Sequence, residues 1–440
     1  MSASAKLAED DPRRLIAERP MTALQIVIIA VLFCLNALDG FDVLAISFAA
    51  PGITRDWAAS PQAIGVMISV GLFAAGFGSL VVAPLADRVG RRPMIFASLV
   101  TMTVGALICA TATGTASMSV GRLFTGTGVG ALVPCISALT AEYSSRRYRD
   151  RCVIIMAVGF PVGGLIGGQG AALLLQHFDW RAIFIAGAVA TGVLTLVPIG
   201  SMPESIDYLL VKRPARALER VNRILARLHH PPVTALPAVQ AADRKHSVLD
   251  IFTPGLLLIT LLITLSYGLH GSTLYYSLNW IPKIGVDLGL SQAQAAGIAA
   301  WCSGGGIIGA LVAAALATRF EIRLLTSAAL VGAFLSLWLF AHAPGEVGLL
   351  VAAALLLGSL LYGAQVSLYA LMTRSFPVHV RATGVGFVTG AGRLGGAMSP
   401  IVSGHLLGMG LPYSRVSTLM ALGSLMGAIA VAAAGKTEKA

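Results

Sequence analysis

The chain has 440 residues, of which 56% are hydrophobic and only 12% are charged, and its mean hydropathy is +0.81. Soluble domains carry about 25% charged residues, so this composition excludes a soluble protein and predicts a polytopic membrane protein. The net charge of +11 does not indicate nucleic-acid binding, because the basic residues fall in short loops between apolar segments. The five cysteines form no C-x-x-C pair, so neither a disulfide framework nor a metal site is predicted.

Twelve apolar segments, each long enough to cross a bilayer, predict an all-α fold with twelve transmembrane helices. They lie at residues 22–51, 62–86, 94–113, 117–141, 152–176, 181–200, 254–281, 292–317, 323–342, 346–372, 382–408 and 413–434. The predicted domains are a polar tail (1–20), an N-terminal half (21–200), a central loop (201–251), a C-terminal half (252–434) and a short tail (435–440). The basic part of the central loop, residues 212–229, is predicted to lie along the membrane surface.

Arginines concentrate on one side of the predicted spans. With the N-terminus inside, eleven basic residues lie in short inner loops and four in outer loops. The inner ones are Arg88, Arg91, Arg92, Arg146, Arg147, Arg149, Arg151, Arg319, Arg323, Arg374 and Arg381; the outer ones are Arg55, Arg181, Lys283 and Arg415. The positive-inside rule therefore predicts a multi-pass protein of a bacterial-type inner membrane with both termini in the cytoplasm.

The first apolar segment contains two carboxylates, Asp39 and Asp42. The run from Met21 to Pro51 would cover ~46 Å as a helix, more than the ~30 Å of a hydrocarbon core. The pair is therefore predicted to lie inside the span, on one helical face because of its i, i+3 spacing. Ionisable groups at such depth mark an ion or substrate path by default. The alternative is a short first helix that ends in an Asp-Gly turn.

Two motifs resemble signatures of the major facilitator superfamily, which also has the layout of six plus six spans. Residues 83–92 (A-P-L-A-D-R-V-G-R-R) resemble its loop signature between spans two and three, with Ala83 in place of the usual leading glycine. Residues 122–128 (R-L-F-T-G-T-G) resemble its span-four signature, R-x-x-x-G-x-G. The resemblance implies a carrier rather than an enzyme, working by alternating access around a site near the bilayer midplane.

The loop motif supplies a predicted gate at the inner rim. Gly90 suits a tight turn, and Asp87 is expected to accept hydrogen bonds from a helix N-terminus or to pair with a neighbouring arginine. Glu142 is predicted to pair with an arginine of residues 146–151 or with the cluster around Asp87. Such charges can latch one conformation and release in another. The predicted gating residues are Asp87, Arg88, Gly90, Arg91, Glu142 and Arg381.

Further motifs narrow the resemblance to the aromatic acid:proton symporter family over essentially the whole chain. They are D-G-F-D at residues 39–42, P-E-S at 203–205, R-A-T-G at 381–384 and G-R-L-G-G at 392–396. This resemblance implies import of aromatic carboxylates such as hydroxybenzoates or benzoate, with the proton as coupling ion, no other cofactor and a monomeric carrier. Asp39, Asp42 and Arg122 are the predicted proton-coupling residues. Arg122 has an alternative role, bonding backbone carbonyls of a neighbouring helix.

The substrate-binding candidates lie mainly in the second half. Arg393 lies 12 residues after Arg381, or ~18 Å along a helix, close to mid-bilayer, where it could hold a carboxylate through two hydrogen bonds; the flanking glycines are expected to let the ligand approach. Span ten holds two cavity candidates, Gln365 and Tyr369. It also holds Tyr362, for which no role is predicted. The predicted substrate-binding residues are Arg122, Arg393, Gln365, Tyr369, Tyr267 and His270, whereas Tyr275, Tyr276 and Trp280 are predicted to form an interface belt.

Three other interpretations stay open. The glycine-rich span five, residues 159–168, resembles a signature linked to antiporters of drugs or metabolites, although G-x-x-x-G spacing explains helix packing equally well. A carrier for aliphatic organic acids would share most of these features. A membrane sensor or membrane enzyme would need an appended soluble domain or a metal or nucleophile cluster, neither of which is predicted.

Overall fold

The apolar runs form long helices in the residues that the computed structural model describes, which are 11–237, 248–377 and 380–437. Twelve of these helices define the fold, and the same residues contain no strand. The helices are α1 (Ala23–Trp57), α2 (Pro61–Phe77), α3 (Arg91–Ala110), α4 (Thr115–Glu142), α5 (Arg149–His177), α6 (Arg181–Ser201), α7 (Pro254–Asp287), α8 (Gln292–Leu316), α9 (Ile322–Ala341), α10 (Val347–Ser375), α11 (Arg381–Gly408) and α12 (Tyr413–Thr437). The predicted all-α, twelve-helix fold is therefore confirmed.

Ten of the described helices are long and apolar enough to cross a membrane by length and composition. Helix α6 runs for 21 residues, Arg181–Ser201, and α11 carries Arg393 and His405 within its length. A π-helical turn, Gly78–Val82, and two short helical pieces, Ala83–Leu85 and Ala86–Val89, continue α2 into the loop before α3. The twelve helices of the described residues run between two faces of the molecule, with the loops that connect them at these faces.

Helix α1 is continuous past its two carboxylates. Thr22 caps it by accepting from the Gln25 amide nitrogen, while the Gln25 side chain accepts in return from the Thr22 amide. This reciprocal cap satisfies amide groups that the first helical turn leaves free. The helix then runs for 35 residues through Pro51, so Asp39 and Asp42 lie near its middle. The alternative of a short first helix ending at Asp39 and Gly40 is wrong.

Each half packs its helices tightly through glycines. In the N-terminal half, a Cβ atom at Gly163 of α5 would clash with the Ala37 carbonyl of α1, and one at Gly40 would clash with the Phe160 carbonyl. In the C-terminal half, Gly309 of α8 stands in the same relation to Ser359 of α10. Small residues allow this approach of helix backbones in membranes. The glycines of span five therefore have a packing role. This role explains them without an antiport mechanism.

The two halves meet through α2 with α11, α5 with α8, and α1 with α7. At the end of the molecule opposite the arginine-rich loops, a Cβ atom at Gly65 would clash with the Pro400 carbonyl. At that same end of the helices, Ser47 Oγ donates to Asn279 Oδ1 over 2.7 Å. We call the arginine-rich face the basic face. The two halves are therefore in direct contact at the opposite face.

The central segment forms two short helices, Ile206–Lys212 and Ala217–Arg227. Their apolar side chains, including Leu209 and Val221, are buried in one cluster with residues of α1, α3 and α4. This side is covered by protein and is not available to a membrane surface. That segment 212–229 lies along the membrane surface stays a prediction, and its apolar side chains are the ones that pack on the protein.

The central segment also holds a buried histidine and contacts the N-terminal tail. His230 is 7% exposed, and neither of its ring nitrogens has a hydrogen-bond partner among the described residues. Burial lowers its pKa from the ordinary 6.5, and the nearby positive groups of Arg19 and His229 lower it further.

In the tail, Arg13 Nε lies 2.5 Å from Asp207 Oδ1, which joins the helix Pro12–Glu18 to the central segment.

Candidate functional site

Arg122 and Asp42 form a buried ion pair between α4 and α1. The Arg122 side chain is only 2% exposed, and its Nη1 atom lies 3.4 Å from Asp42 Oδ2. The same nitrogen donates to the Asp42 carbonyl at 3.1 Å and to Thr125 Oγ1 at 3.2 Å. The guanidinium passes against Gly71 of α2, where a Cβ atom would lie 2.7 Å from Nη2. Arg122 therefore combines the two roles considered for it, since it pairs with a carboxylate and also bonds a backbone carbonyl.

Asp39 lies one helical turn before Asp42 but in different surroundings. Its side chain is buried, and its Oδ1 atom has no hydrogen-bond partner in the described part of the chain. Its charge interacts with that of Asp42 and, across the boundary between the halves, with that of Arg393. The two carboxylates predicted to act together are thus distinguished by their partners: Asp42 has a direct one, and Asp39 faces a more distant cation.

Arg393 on α11 is a cation held among tyrosines. Within the described ranges it makes no hydrogen bond and no ion pair, and its charge interacts with Tyr267, Tyr275, Tyr369 and Asp39. Tyr267 and Tyr369 join α7 to α10, with their hydroxyl oxygens 3.0 Å apart and their rings at 74° with centroids 5.8 Å apart. Three predicted substrate-binding residues are therefore brought together, with donors on Arg393 that the described protein groups do not occupy.

The glycines beside Arg393 leave space for the rings of two tyrosines. A Cβ atom at Gly392 would clash with the ring of Tyr267, and one at Gly396 would lie 2.5 Å from the ring of Tyr275. These glycines admit the side chains of α7, whereas the sequence predicted that they leave room for a ligand. The walls around Arg393 are therefore aromatic on the side that α7 covers.

The predicted interface belt on α7 is wrong. Tyr276 and Trp280 are both 0% exposed, and the Tyr276 hydroxyl lies 2.7 Å from Ser417 Oγ of α12. Tyr275 is half-buried and belongs to the group around Arg393. Tyr267 and Tyr275 are eight residues apart, about two helical turns, and so lie on one face of α7. The pair Gly392 and Gly396 on α11 is the sequence signal that could have revealed their contact with that helix.

His270 lies apart from the group around Arg393. Its side chain is 0% exposed, with Nδ1 2.9 Å from Ser424 Oγ of α12 and Nε2 3.1 Å from the Leu361 carbonyl of α10. A carbonyl only accepts, so Nε2 carries the hydrogen and Nδ1 accepts from the serine. Both nitrogens are occupied by protein groups, so this predicted substrate-binding residue joins three helices and has no nitrogen left for a ligand.

Two polar groups on α10 are buried without partners. Gln365 Oε1 and Tyr362 Oη have no hydrogen-bond partner in the residues that the structure describes. The Tyr362 ring packs against Phe160 of α5, with centroids 6.5 Å apart, and Tyr275 and Asp39 lie within electrostatic range of its hydroxyl. Tyr362 therefore lies at the boundary between the halves, close to the groups described above, although no role was predicted for it.

At the basic face, acidic residues hold the loop between α2 and α3. Glu142 forms an ion pair with Arg91, one of its two predicted pairings, and accepts from Ser205 Oγ at 2.8 Å. Glu204 Oε1 accepts from the backbone nitrogens of Arg91 at 2.9 Å and Arg92 at 3.1 Å. Negative charge is favourable at a helix N-terminus, so Glu204 caps α3.

The other predicted gating residues are placed as follows. Asp87 is exposed and makes no ion pair among the described residues, so the helix-capping role expected of it belongs to Glu204. Arg88 is exposed, and its carbonyl accepts from the Tyr208 hydroxyl at 3.3 Å. Gly90 has φ +103°, a conformation that favours glycine. The side chain of Arg381 lies outside the described residues.

The described part of the chain contains no group of three or more His, Cys, Asp or Glu side chains placed to hold a metal ion. What the central residues offer instead is a pair of carboxylates, a pair of guanidinium groups and a set of tyrosine hydroxyls. Such groups can bind an anion and exchange a proton.

Known proteins of the same kind carry small molecules across membranes. The chain is 31% identical over 435 residues to the 4-hydroxybenzoate transporter PcaK of Pseudomonas aeruginosa, covering 98% of this chain and 97% of that protein. It is 30% identical over 428 residues to a gallate transporter of Pseudomonas putida, covering 97% and 95%. Its fold matches the inward-open xylose transporter XylE from E. coli with a TM-score of 0.72 at 14% identity, over 92% and 95% of the two chains. Residues 32–400 match the model of the Major Facilitator Superfamily, and the chain belongs to this family of membrane transporters.

Proposed function

We propose that this chain imports aromatic carboxylates together with protons. The observation that carries the proposal is Arg393, a cation that the described residues leave without a hydrogen bond and that lies among Tyr267, Tyr275 and Tyr369. A guanidinium binds a carboxylate through two parallel hydrogen bonds, and aromatic walls suit an aromatic ring. The relatives' substrates, 4-hydroxybenzoate and gallate, are both aromatic carboxylates.

The balance of charge supports coupling to protons. When ionised, Asp39, Asp42, Arg122 and Arg393 sum to zero, and the Asp42–Arg122 pair is neutral by itself. An anion bound to Arg393 adds a negative charge beside Asp39, in surroundings where an uncompensated charge is costly. A proton on Asp39 removes that excess. The proton and the anion therefore favour each other's binding, which is the requirement for symport.

The carrier is proposed to work by rocking of its halves around this site. The loop between α2 and α3, with Asp87, Arg88, Gly90, Arg91 and Glu142, is proposed to gate the basic face together with Arg381. Both termini and the basic face are proposed to lie in the cytoplasm, because the inner loops carry the excess of arginine. No cofactor other than the proton is proposed, and the working unit is a monomer in the bilayer.

Uptake of labelled 4-hydroxybenzoate into cells that express the chain tests the proposal. We expect accumulation that rises as the external pH falls and that a protonophore abolishes. Asp39→Asn is expected to lose protonophore-sensitive accumulation because its side chain cannot carry the proton. The matched control is Asp287→Asn, at a half-exposed carboxylate that pairs with Lys283 at the end of α7, and it is expected to transport normally.

Three results would contradict the proposal. Uptake that survives both the protonophore and Asp39→Asn would exclude proton coupling through this carboxylate. Accumulation of substrate in everted vesicles with an acidified lumen, driven by protons that leave the lumen, would indicate an exporter. Competition by aliphatic acids as strong as that by benzoate would exclude recognition of the aromatic ring.

A further inference from the structure

The amide of Gln365 is the feature that the proposed transport cycle does not use. Its Oε1 atom is buried, and no described residue forms a hydrogen bond with the side chain. A buried polar group without a partner costs free energy, so such a group in a binding region has a partner in some state of the molecule. Because the amide carries both an acceptor and donors, that partner can be a hydroxyl.

Gln365 stands on one stripe of α10 with Tyr362 and Tyr369. Spacings of three and four residues put all three on the same helical face. Tyr369, one turn from Gln365, interacts with Arg393, whereas Tyr362 on the other side interacts with Tyr275 and Asp39. Both ends of the stripe therefore border the same group of residues, and Gln365 lies between them.

The length of the stripe fits one benzene ring with a substituent at each end. Gln365 lies ~6 Å along the helix axis from Tyr369, and Tyr362 lies ~4.5 Å farther on. A carboxylate bound to Arg393 beside Tyr369 would direct the opposite edge of its ring toward Gln365. The Tyr362 hydroxyl, also buried and without a partner in the described residues, lies beyond it.

We propose that Gln365 and Tyr362 bind a hydroxyl on the ring of the substrate, on the side opposite its carboxylate, while Arg393 holds the carboxylate. This inference rests on the proposed function and assigns the preference for hydroxylated over unsubstituted aromatic acids to two side chains. A hydroxyl supplies one donor and accepts as well, so it can satisfy the amide of Gln365 and the phenol of Tyr362 at the same time. Benzoate would leave both groups unpaired.

Competition experiments measure this preference directly. Unlabelled 4-hydroxybenzoate, 2-hydroxybenzoate and benzoate are each titrated against uptake of labelled 4-hydroxybenzoate, and the ratio of their half-inhibitory concentrations gives the discrimination. In Gln365→Leu we expect the preference for 4-hydroxybenzoate over benzoate to fall about tenfold or more, equivalent to ~1.4 kcal/mol per factor of ten. Benzoate itself should compete as well as before or better, because the unpaired amide is gone. A side chain with a purely structural role would weaken both ligands alike.

Two controls give the test its specificity. The hydroxyl of 2-hydroxybenzoate is adjacent to the carboxylate, so its ratio to benzoate should be the same in Gln365→Leu as in the wild type. Tyr362→Phe, which removes a single oxygen atom, should reduce the preference for the 4-hydroxyl, whereas Tyr276→Phe should not, since the Tyr276 hydroxyl bonds Ser417.

The outcomes separate the two proposals. If wild-type uptake discriminates between the acids and neither Gln365→Leu nor Tyr362→Phe changes the ratio, the inference is wrong and the proposed function stands. If none of the three acids inhibits or enters, the proposed function fails and the inference fails with it. Membrane levels of each variant, measured by immunoblot, separate loss of recognition from loss of protein.

Discussion

Asp39 and Asp42 are three residues apart on α1, and neutralising each should have effects of different size on stability. Asp42→Asn removes the charge that faces Arg122, whose side chain is 2% exposed. Asp39→Asn removes a buried charge whose Oδ1 atom has no hydrogen-bond partner among the described residues and whose nearest like charge is Asp42. The first change leaves a cation buried without its counter-ion. The second removes both the repulsion from Asp42 and the more distant attraction to Arg393, which offset each other.

The expected size follows from the contacts that remain. Removing one member of a buried ion pair costs about 3–5 kcal/mol. Here Arg122 keeps its bonds to the Asp42 carbonyl and to Thr125, and the ion pair is long, at 3.4 Å. We therefore expect Asp42→Asn to lower the free energy of unfolding by ~2–3 kcal/mol, from loss of a charge-assisted bond. Asp39→Asn should leave the free energy unchanged within ~0.5 kcal/mol, because the lost repulsion from Asp42 and the lost attraction to Arg393 offset each other.

A double-mutant cycle isolates the pair. The free energies of unfolding of Asp42→Asn, Arg122→Gln and the double variant are measured in mixed micelles by titration with a denaturing detergent, with fluorescence of the five tryptophans as the signal. The double variant has no unpaired buried charge at this place. Its loss should therefore be smaller than the sum of the two single losses by about 1–2 kcal/mol.

Either of two results would refute this reasoning. Coupling below ~0.5 kcal/mol would mean that Asp42 and Arg122 do not act as a pair. A loss in Asp39→Asn as large as that in Asp42→Asn would mean that the distant attraction to Arg393 stabilises Asp39 as much as the direct ion pair stabilises Asp42.

Two further predictions concern packing and pH. In the same detergent titration, Gly163→Ala should destabilise the protein by ~1–3 kcal/mol, because the added methyl group meets the Ala37 carbonyl. The control is Gly170→Ala on the same helix, where the described residues leave the Cβ position open, and it should be neutral or slightly stabilising. His230 has a pKa below the ordinary 6.5 in the folded protein, so the unfolded chain binds the proton more readily and stability should fall as the pH drops below about 6.5. His230→Gln should flatten that part of the stability profile, and equal slopes for both proteins would contradict the assignment.

Much of the central site could be predicted from the sequence because charges in a membrane are rare. Asp39, Asp42, Arg122 and Arg393 lie in segments that must otherwise be apolar, and the cost of burying them makes each a candidate from its position alone. The pairing was harder to predict. Asp39 and Asp42 lie on one helical face, so the sequence offered no reason to assign them different partners. The packing decides the partners, because α4 places Arg122 beside Asp42 and α11 places Arg393 on the side of Asp39.

The errors arose where distant segments decide the contact. Asp87 stands next to the first turn of α3 and was the local choice for its cap, yet Glu204, more than a hundred residues away, supplies the carboxylate. Tyr276 and Trp280 lie near the end of an apolar segment, which is typical of an interface belt. Helix α7 continues to Asp287 and is surrounded by other helices, so these side chains are buried in protein.

The boundary between the halves gives a reason why one carboxylate and one arginine would suffice for the proposed coupling. Asp39 belongs to the N-terminal half and Arg393 to the C-terminal half, so a proton on the first and an anion on the second change the same electrostatic contact. Without either ligand the two side chains balance, and with both ligands the charges balance again. A proton alone leaves an excess positive charge at the boundary, and an anion alone leaves an excess negative one, each costly in surroundings of low polarity. If the halves rock past each other only when this boundary is neutral, movement is confined to the empty and the doubly loaded carrier, and leakage of either ligand by itself is suppressed.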